Sequence, residues 1–168
     1  MLTHLSIRDI VLIDRLDLAF DHGLAVLTGE TGAGKSILLD AFALALGARG
    51  AGSLVRQGET QGQVTAVFHP DDAHPVFTLL ADQSVDHEGE IILRRVQMAD
   101  GKTRALVNDQ PVSVQTLRLI GSSLVEIHGQ HDDRALADPS SHRAILDSFA
   151  GIDKDIATLR KAHQIWHD

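Results

Sequence analysis

The sequence predicts an α/β fold in which a largely antiparallel sheet lies beside a core strand that feeds, through a glycine-rich loop, into an apolar helix. Three observations carry this. Leu16, Leu18 and Phe20, and again Val64, Ala66 and Phe68, recur at the period of two that marks strands. Asp100-Gly101 stands between two strand-like runs, the dipeptide of a tight hairpin. Leu24-Ala25-Val26-Leu27 is a continuous apolar run of the kind buried on both faces of a sheet, and it leads through Gly29–Ser36 into the helical stretch from Ile37.

The elements follow in order. Leu2 to Ile13, rich in Leu, Ile and Val, reads as a strand, and Leu16 to Phe20 as a half-buried one. Asp21-His22-Gly23 is a turn signal, and Leu24 to Leu27 is the core strand. Ile37 to Leu46 has almost no polar face, so it is expected to be a helix enclosed by protein and ended by Gly47. Ala48 to Gly62 is loop-like, and Gln63 to His69 is a strand. A short helix is expected near Val76 to Asp82. Ile91 to Met98 and Thr103 to Val107 flank the hairpin turn, and Asn108 to Pro111 is another turn. Ser113 can cap a helix over Val114, Leu117 and Ile120, and Leu124 to Ile127 reads as a second core strand. Asp138-Pro139 opens a helix that runs to Gly151. Ile152, Ile156, Leu159, His163 and Trp166 are then spaced 4, 3, 4, 3, an a/d seam still running where the sequence stops. Domain organisation is therefore expected as 1–150 for the globular lobe and 151–168 for the start of a coiled-coil arm.

Composition narrows the function. The 168 residues are one domain's worth, and 43% are apolar, enough for a core. Cysteine is absent, which excludes a disulfide scaffold, a thiolate metal site and a cysteine nucleophile. The net charge of −8 argues against coating nucleic acid through overall charge, though a local basic patch is compatible with it. No apolar run approaches the roughly 18 residues of a membrane span. Arg8, Asp9, Asp14, Arg15 and Asp17 interrupt any signal-peptide core. A cytoplasmic protein is expected, with no membrane partner.

Gly29-Glu30-Thr31-Gly32-Ala33-Gly34-Lys35-Ser36 matches the phosphate-loop pattern G-x-x-x-x-G-K-[ST] in full. Glycines let the backbone wrap an anion and aim consecutive N–H groups at it, and the helix N-terminus adds partial positive charge. Lys35 can reach the β- and γ-phosphates, and the Ser36 hydroxyl can ligate Mg²⁺. A guanine reader of the N-K-x-D type does not occur in the sequence, which favours ATP.

The stretch Gly29 to Ala41 resembles the opening of the RecN family of bacterial DNA repair proteins, SMC-like ATPases of the ABC superfamily. Leu5 to Asp14 is similar to that family's first strand, Thr103 to Asn108 to the strand after its hairpin, and Ile127-His128-Gly129-Gln130-His131-Asp132 to its Q-loop. The resemblance implies an ABC/SMC-type head lobe with a mixed sheet. It implies that Gly29 to Ile37 hold MgATP, that Ser36 and Gln130 reach the Mg²⁺, and that Lys35 and Gln130 are this lobe's catalytic residues. It also implies that the signature motif, the Walker B acid and the general base come from a C-terminal lobe beyond a long coiled coil. No L-S-G-G signature occurs here. Partners implied are that lobe, a second head in a homodimer, and DNA through the full-length assembly; the place of action is the nucleoid. The fragment alone is expected to be inactive, and monomeric or weakly associated.

Other groups have readings of their own. Asp14 follows an apolar run but precedes the phosphate loop, so it reads as a surface turn residue and not as a Walker B acid. His128, His131, Asp132 and Asp133 have ligand chemistry, but the Q-loop resemblance accounts for them. Arg56 lies in a region where, in SMC-like heads, an arginine can approach nucleotide or DNA. Arg94, Arg95, Lys102 and Arg104 on the hairpin, and Lys154, Arg160 and Lys161 on the last helix, are candidate DNA-phosphate contacts. The competing readings are a complete small phosphotransferase and a non-catalytic nucleotide-gated assembly module.

Overall fold

A computed structural model of the chain describes residues 1–28, 33–127, 146–147 and 149–167. It contains two compact units, Met1–Glu126 and Ile127–Asp168. The first is built on a six-stranded sheet of order β2-β1-β3-β4-β5-β6, antiparallel at every pairing. The strands are β1 (Leu2–Ile10), β2 (Ile13–Ala19), β3 (Gln61–Phe68), β4 (Ile91–Met98), β5 (Thr103–Val107) and β6 (Gln110–Val112). The helices are α1 (Ala33–Ala45), α2 (Val76–Asp82) and α3 (Val114–Leu124) in the first unit, and α4 (Asp153–His167) in the second.

The period-two signal sets the sheet's two faces. Leu5, Ile7, Val64, Ala66, Phe68, Ile91, Leu93, Ala105 and Val107 are buried on the inner face. Ala41, Leu44 and Ala45 of α1 and Leu117 and Ile120 of α3 are buried with them, and Phe42 and Phe68 stack at 6.5 Å. Each fully buried Leu, Ile or Phe contributes about 1.5–3 kcal/mol by removing apolar surface from water.

Local signals act where the sequence carries them. Gly101 adopts φ +88 in the β4–β5 turn, and Met98 N–H donates to the Lys102 carbonyl at 2.8 Å. Ser113 Oγ accepts from Thr116 N–H at 2.9 Å and caps α3. Asn108 and Asp109 make the next turn in left-handed backbone, but Gln110 and Pro111, expected in that turn, begin β6. Proline is tolerated there because β6 is an edge strand.

Four expectations need correction. The first strand does not reach Ile13: it folds back at Val11 and Leu12, and Asp14 lies on β2 and not in a turn. No turn residue marks this reversal. It is held from outside, by Val11 N–H donating to the Leu54 carbonyl and Arg56 N–H to the Asp9 carbonyl, both at 2.9 Å. Leu24 to Leu27 is not a strand but irregular and exposed, Leu24 by 95%. Leu124 closes α3, and Val125 to Ile127 extends without pairing. Both of these segments were expected in the interior of a sheet, where a strand must find N–H and C=O partners along its edges; no described strand pairs with either. Finally, α1 is not enclosed: Ala41, Leu44 and Ala45 face the sheet while Leu39 and Asp40 are exposed.

Candidate nucleotide site

Helix α1 begins at Ala33, so Gly34, Lys35 and Ser36 form its first turn, all three exposed, with Ile37 half-buried behind them. The first N–H groups of a helix have no partner within it and carry the positive end of its dipole. Among the described residues Lys35 makes no ion pair. Gly34 is informative. Its φ is not left-handed, and among the described residues a Cβ built on it would meet nothing within 4 Å. Neither backbone conformation nor packing therefore asks for glycine here. Glycine also serves where a ligand must approach the backbone closely. The residues fit a polyphosphate on this criterion, and Ser36 has the hydroxyl that suits a hard cation beside it. Gly29, Glu30, Thr31 and Gly32 lie outside the described residues, as do His128, Gln130, His131, Asp132 and Asp133. Among the described residues no group of three or more His, Cys, Asp or Glu is placed to hold a metal.

The far end of α1 is tied to the rest of the fold. Gly47 ends the helix at φ +91, and its carbonyl accepts from Arg118 Nε of α3 at 3.1 Å. Beyond it the chain passes close over the β4–β5 hairpin. A Cβ on Gly50 would lie 2.1 Å from Gln97 Oε1, and one on Gly52 would lie 2.4 Å from the Ala99 carbonyl oxygen. The same loop then reaches Arg56, whose Nη1 pairs with Asp14 at 2.9 Å. Asp14 is thus a surface residue, as expected, but with a specific partner that its position in the sequence did not indicate.

The hairpin cations separate into two classes. Arg95 is 2% exposed and faces the core, so as a surface DNA contact it is ruled out. Its Nε donates to Thr103 Oγ1 at 2.6 Å, while Nη1 has no partner. Burial, and then the nearby Arg118 charge, hold its pKa below the usual arginine value. The sequence contained the warning: Ile91, Leu93, Arg95 and Gln97 share one parity, and all four are buried. Arg94 and Arg104 have the other parity and face outward; Arg94 pairs with Asp109. Lys102 is exposed and pairs with Asp100 at 2.7 Å, which raises the lysine pKa and lowers that of the carboxyl. Lys154, Arg160 and Lys161 lie on α4, with Lys161 exposed.

The sequence profile of the AAA domain matches residues 4–149. The chain belongs to the AAA domain family. Within it, the sequence is similar to DNA repair protein RecN of Bacillus subtilis, 41% identical over 98% of this chain and 29% of the relative. It is similar also to DNA repair protein RecN of Vibrio cholerae, 40% identical over 99% of this chain and 30% of the relative. This AAA domain thus spans about three tenths of the length of the curated relatives it matches. Its fold is that of SMC head domains. One such structure is the Smc head with an extended coiled coil, bound to the C-terminal domain of ScpA and derived from Pyrococcus furiosus. It matches with a TM-score of 0.67 at 20% identity, over 97% of this chain and 45% of that one. Another, from work on ATP-driven dimerization and DNA-stimulated activation of SMC ATPases, matches with a TM-score of 0.63 at 19% identity, over 88% of this chain and 98% of that one. The antiparallel sheet flanked by helices, expected from the alternation and the hairpin, is therefore this domain's architecture.

Proposed function

We propose that this chain is the ATP-binding lobe of a RecN-like, SMC-type ATPase that acts in DNA double-strand break repair and recombination. The observation that carries the reading is the full phosphate-loop pattern Gly29–Ser36 in the sequence, of which Gly34, Lys35 and Ser36 are exposed in the first turn of α1. RecN relatives matching along nearly the whole chain support the repair assignment. Residues 1–150 form the lobe and 151–168 begin the coiled-coil arm.

In this reading, Gly29 to Ile37 bind ATP, backbone N–H groups of Gly32 to Ser36 cradle its phosphates, and Lys35 stabilises charge that develops on the transferred phosphoryl group. Ser36 and Gln130 would hold Mg²⁺, which would supply positive charge against that of the phosphates. The signature motif, Walker B acid and general base come from a C-terminal lobe, and two heads close over the nucleotide. ATP then favours the engaged pair and hydrolysis releases it. The protein works in the cytoplasm on the nucleoid; among the described residues no helix is long and apolar enough to cross a membrane. DNA is met by the full-length assembly.

The test is steady-state ATP turnover by this chain with Mg²⁺, beside a binding titration, for the native sequence and Lys35→Ala. Lys35-dependent binding with near-zero turnover is expected. Robust Lys35-dependent turnover would replace the half-site reading by that of a small phosphotransferase. Lys35-independent or absent ATP binding would remove the nucleotide reading.

A further inference from the structure

Helix α4 carries His163 and His167 one turn apart, so both imidazoles project from the same side. Their ring centroids are 5.6 Å apart with the planes at 50°. Trp166, the only tryptophan of the chain, has its ring 6.0 Å from each of them. All three side chains are exposed, and among the described residues neither histidine forms an ion pair. His163 also interrupts a seam otherwise made of Ile152, Ile156, Leu159 and Trp166. Neither the nucleotide chemistry nor apolar pairing of the arm has a use for an imidazole there.

We propose that His163 and His167 bind one divalent transition-metal ion of the zinc, nickel or copper class between their ring nitrogens. Two imidazoles sharing an ion at about 2.0–2.1 Å have centroids about 5 Å apart. The observed 5.6 Å is within a small rotation of exposed side chains. Imidazole nitrogen suits these ions, whereas magnesium and calcium prefer oxygen ligands. Among the described residues no third His, Cys, Asp or Glu joins the pair. Water then completes the coordination, and the ion exchanges readily. Bound, it ties together two residues of the helix's last turns and opposes fraying there. It also places a hydrated cation beside His163, which disfavours apolar contact at that end of the seam.

The experiment uses the full 168-residue chain, stripped with EDTA, dialysed and titrated with copper(II) or nickel(II) chloride near neutral pH. Trp166 emission is the readout, since as the only tryptophan it reports locally among ten histidines. Saturable one-to-one quenching is expected, reversed by competing zinc and accompanied by a gain in helical circular dichroism. Either His163→Ala or His167→Ala removes the chelate and weakens binding on the order of 10²-fold. His4→Ala and His22→Ala leave it unchanged. Lys35→Ala also leaves it unchanged, so the result is independent of the nucleotide assignment. Quenching that does not saturate, or that survives in the His163→Ala/His167→Ala double variant, overturns the site.

Discussion

Arg118 Nε donates to the carbonyl oxygen of Gly47 at 3.1 Å, joining the C-terminal end of α1 to the side of α3. The contact is close because two glycines allow it. A Cβ on Gly47 would lie 2.6 Å from Arg118 N, and one on Gly121 would lie 2.8 Å from the Leu46 carbonyl oxygen. A guanidinium at a helix C-terminus also meets the negative end of the dipole. The helix that opens from the phosphate loop is thus anchored at the end away from it.

That anchor predicts unequal costs for two glycines of similar backbone. Gly47 and Gly58 have φ of +91 and +95, but a Cβ on Gly58 meets nothing within 4 Å. Gly58→Ala should cost about 1 kcal/mol, the strain of left-handed backbone alone. Gly47→Ala adds the collision with Arg118 and should cost about 3 kcal/mol or more. Urea denaturation of both variants checks this; equal midpoints would mean that the α1–α3 contact yields freely.

Gly34→Ala should separate folding from binding. Helical backbone and open space mean the methyl costs the fold nothing, and alanine's helix propensity should raise stability by about 0.5–1 kcal/mol. The same methyl stands where the phosphates are proposed to approach, so ATP affinity should fall. Thermal melting and a nucleotide titration on one preparation test both signs at once.

The buried Arg95 predicts an asymmetry. Thr103→Val leaves Arg95 Nε without its acceptor in the core and should cost about 1–3 kcal/mol. Arg95→Met removes a desolvated charge that already lacks one partner, and should be neutral or stabilising by about 1 kcal/mol or more. A larger loss for Arg95→Met than for Thr103→Val, by chemical denaturation, would contradict this account.

Asp17 predicts part of the acid limb of stability. Its carboxylate accepts from Ser6 Oγ at 2.7 Å and pairs with Arg15 and Arg8, and these hold its pKa below the usual value, the Ser6 hydrogen bond most. A depressed carboxyl pKa adds stability that is present above the ordinary Asp range of about 3.9 and is lost as pH falls through the folded-state value. Ser6→Ala and Asp17→Asn should both flatten the stability profile below about pH 4 and leave its shape near neutrality unchanged. An unaltered acid limb in both variants would show that the hydrogen bond is not formed in solution.

Arg56 predicts a functional change with little structural one. Its pair with Asp14 is exposed at 38% and 75%, and such pairs are worth about 0–1 kcal/mol. Arg56→Ala should melt like the native chain. Were Arg56 to touch nucleotide or DNA in the assembly, Asp14→Ala would free it and raise affinity while Arg56→Ala lowered it. Affinities unmoved by both would leave the pair a surface contact.

What depends on neighbours along the chain is legible in the residues themselves. The Asp100-Gly101 turn, the Ser113 cap, the α2 span and the alternating faces of β3 all rest on φ preference, capping or period; α1, by contrast, begins at Ala33, four residues before the Ile37 start that its apolar run suggests. Such effects act within a few residues and are therefore written locally. Tertiary structure alone decided the rest. The turn at Val11 and Leu12 exists because the Leu54 carbonyl and the Arg56 N–H supply backbone partners from a distant segment. Asp14 meets Arg56 only because that same loop packs beside it. Leu24 to Leu27 and Leu124 to Ile127 have the composition of core strands, yet a strand is a relation between two segments. Its hydrogen bonds are made by a neighbour's backbone, which no property of the apolar run can supply.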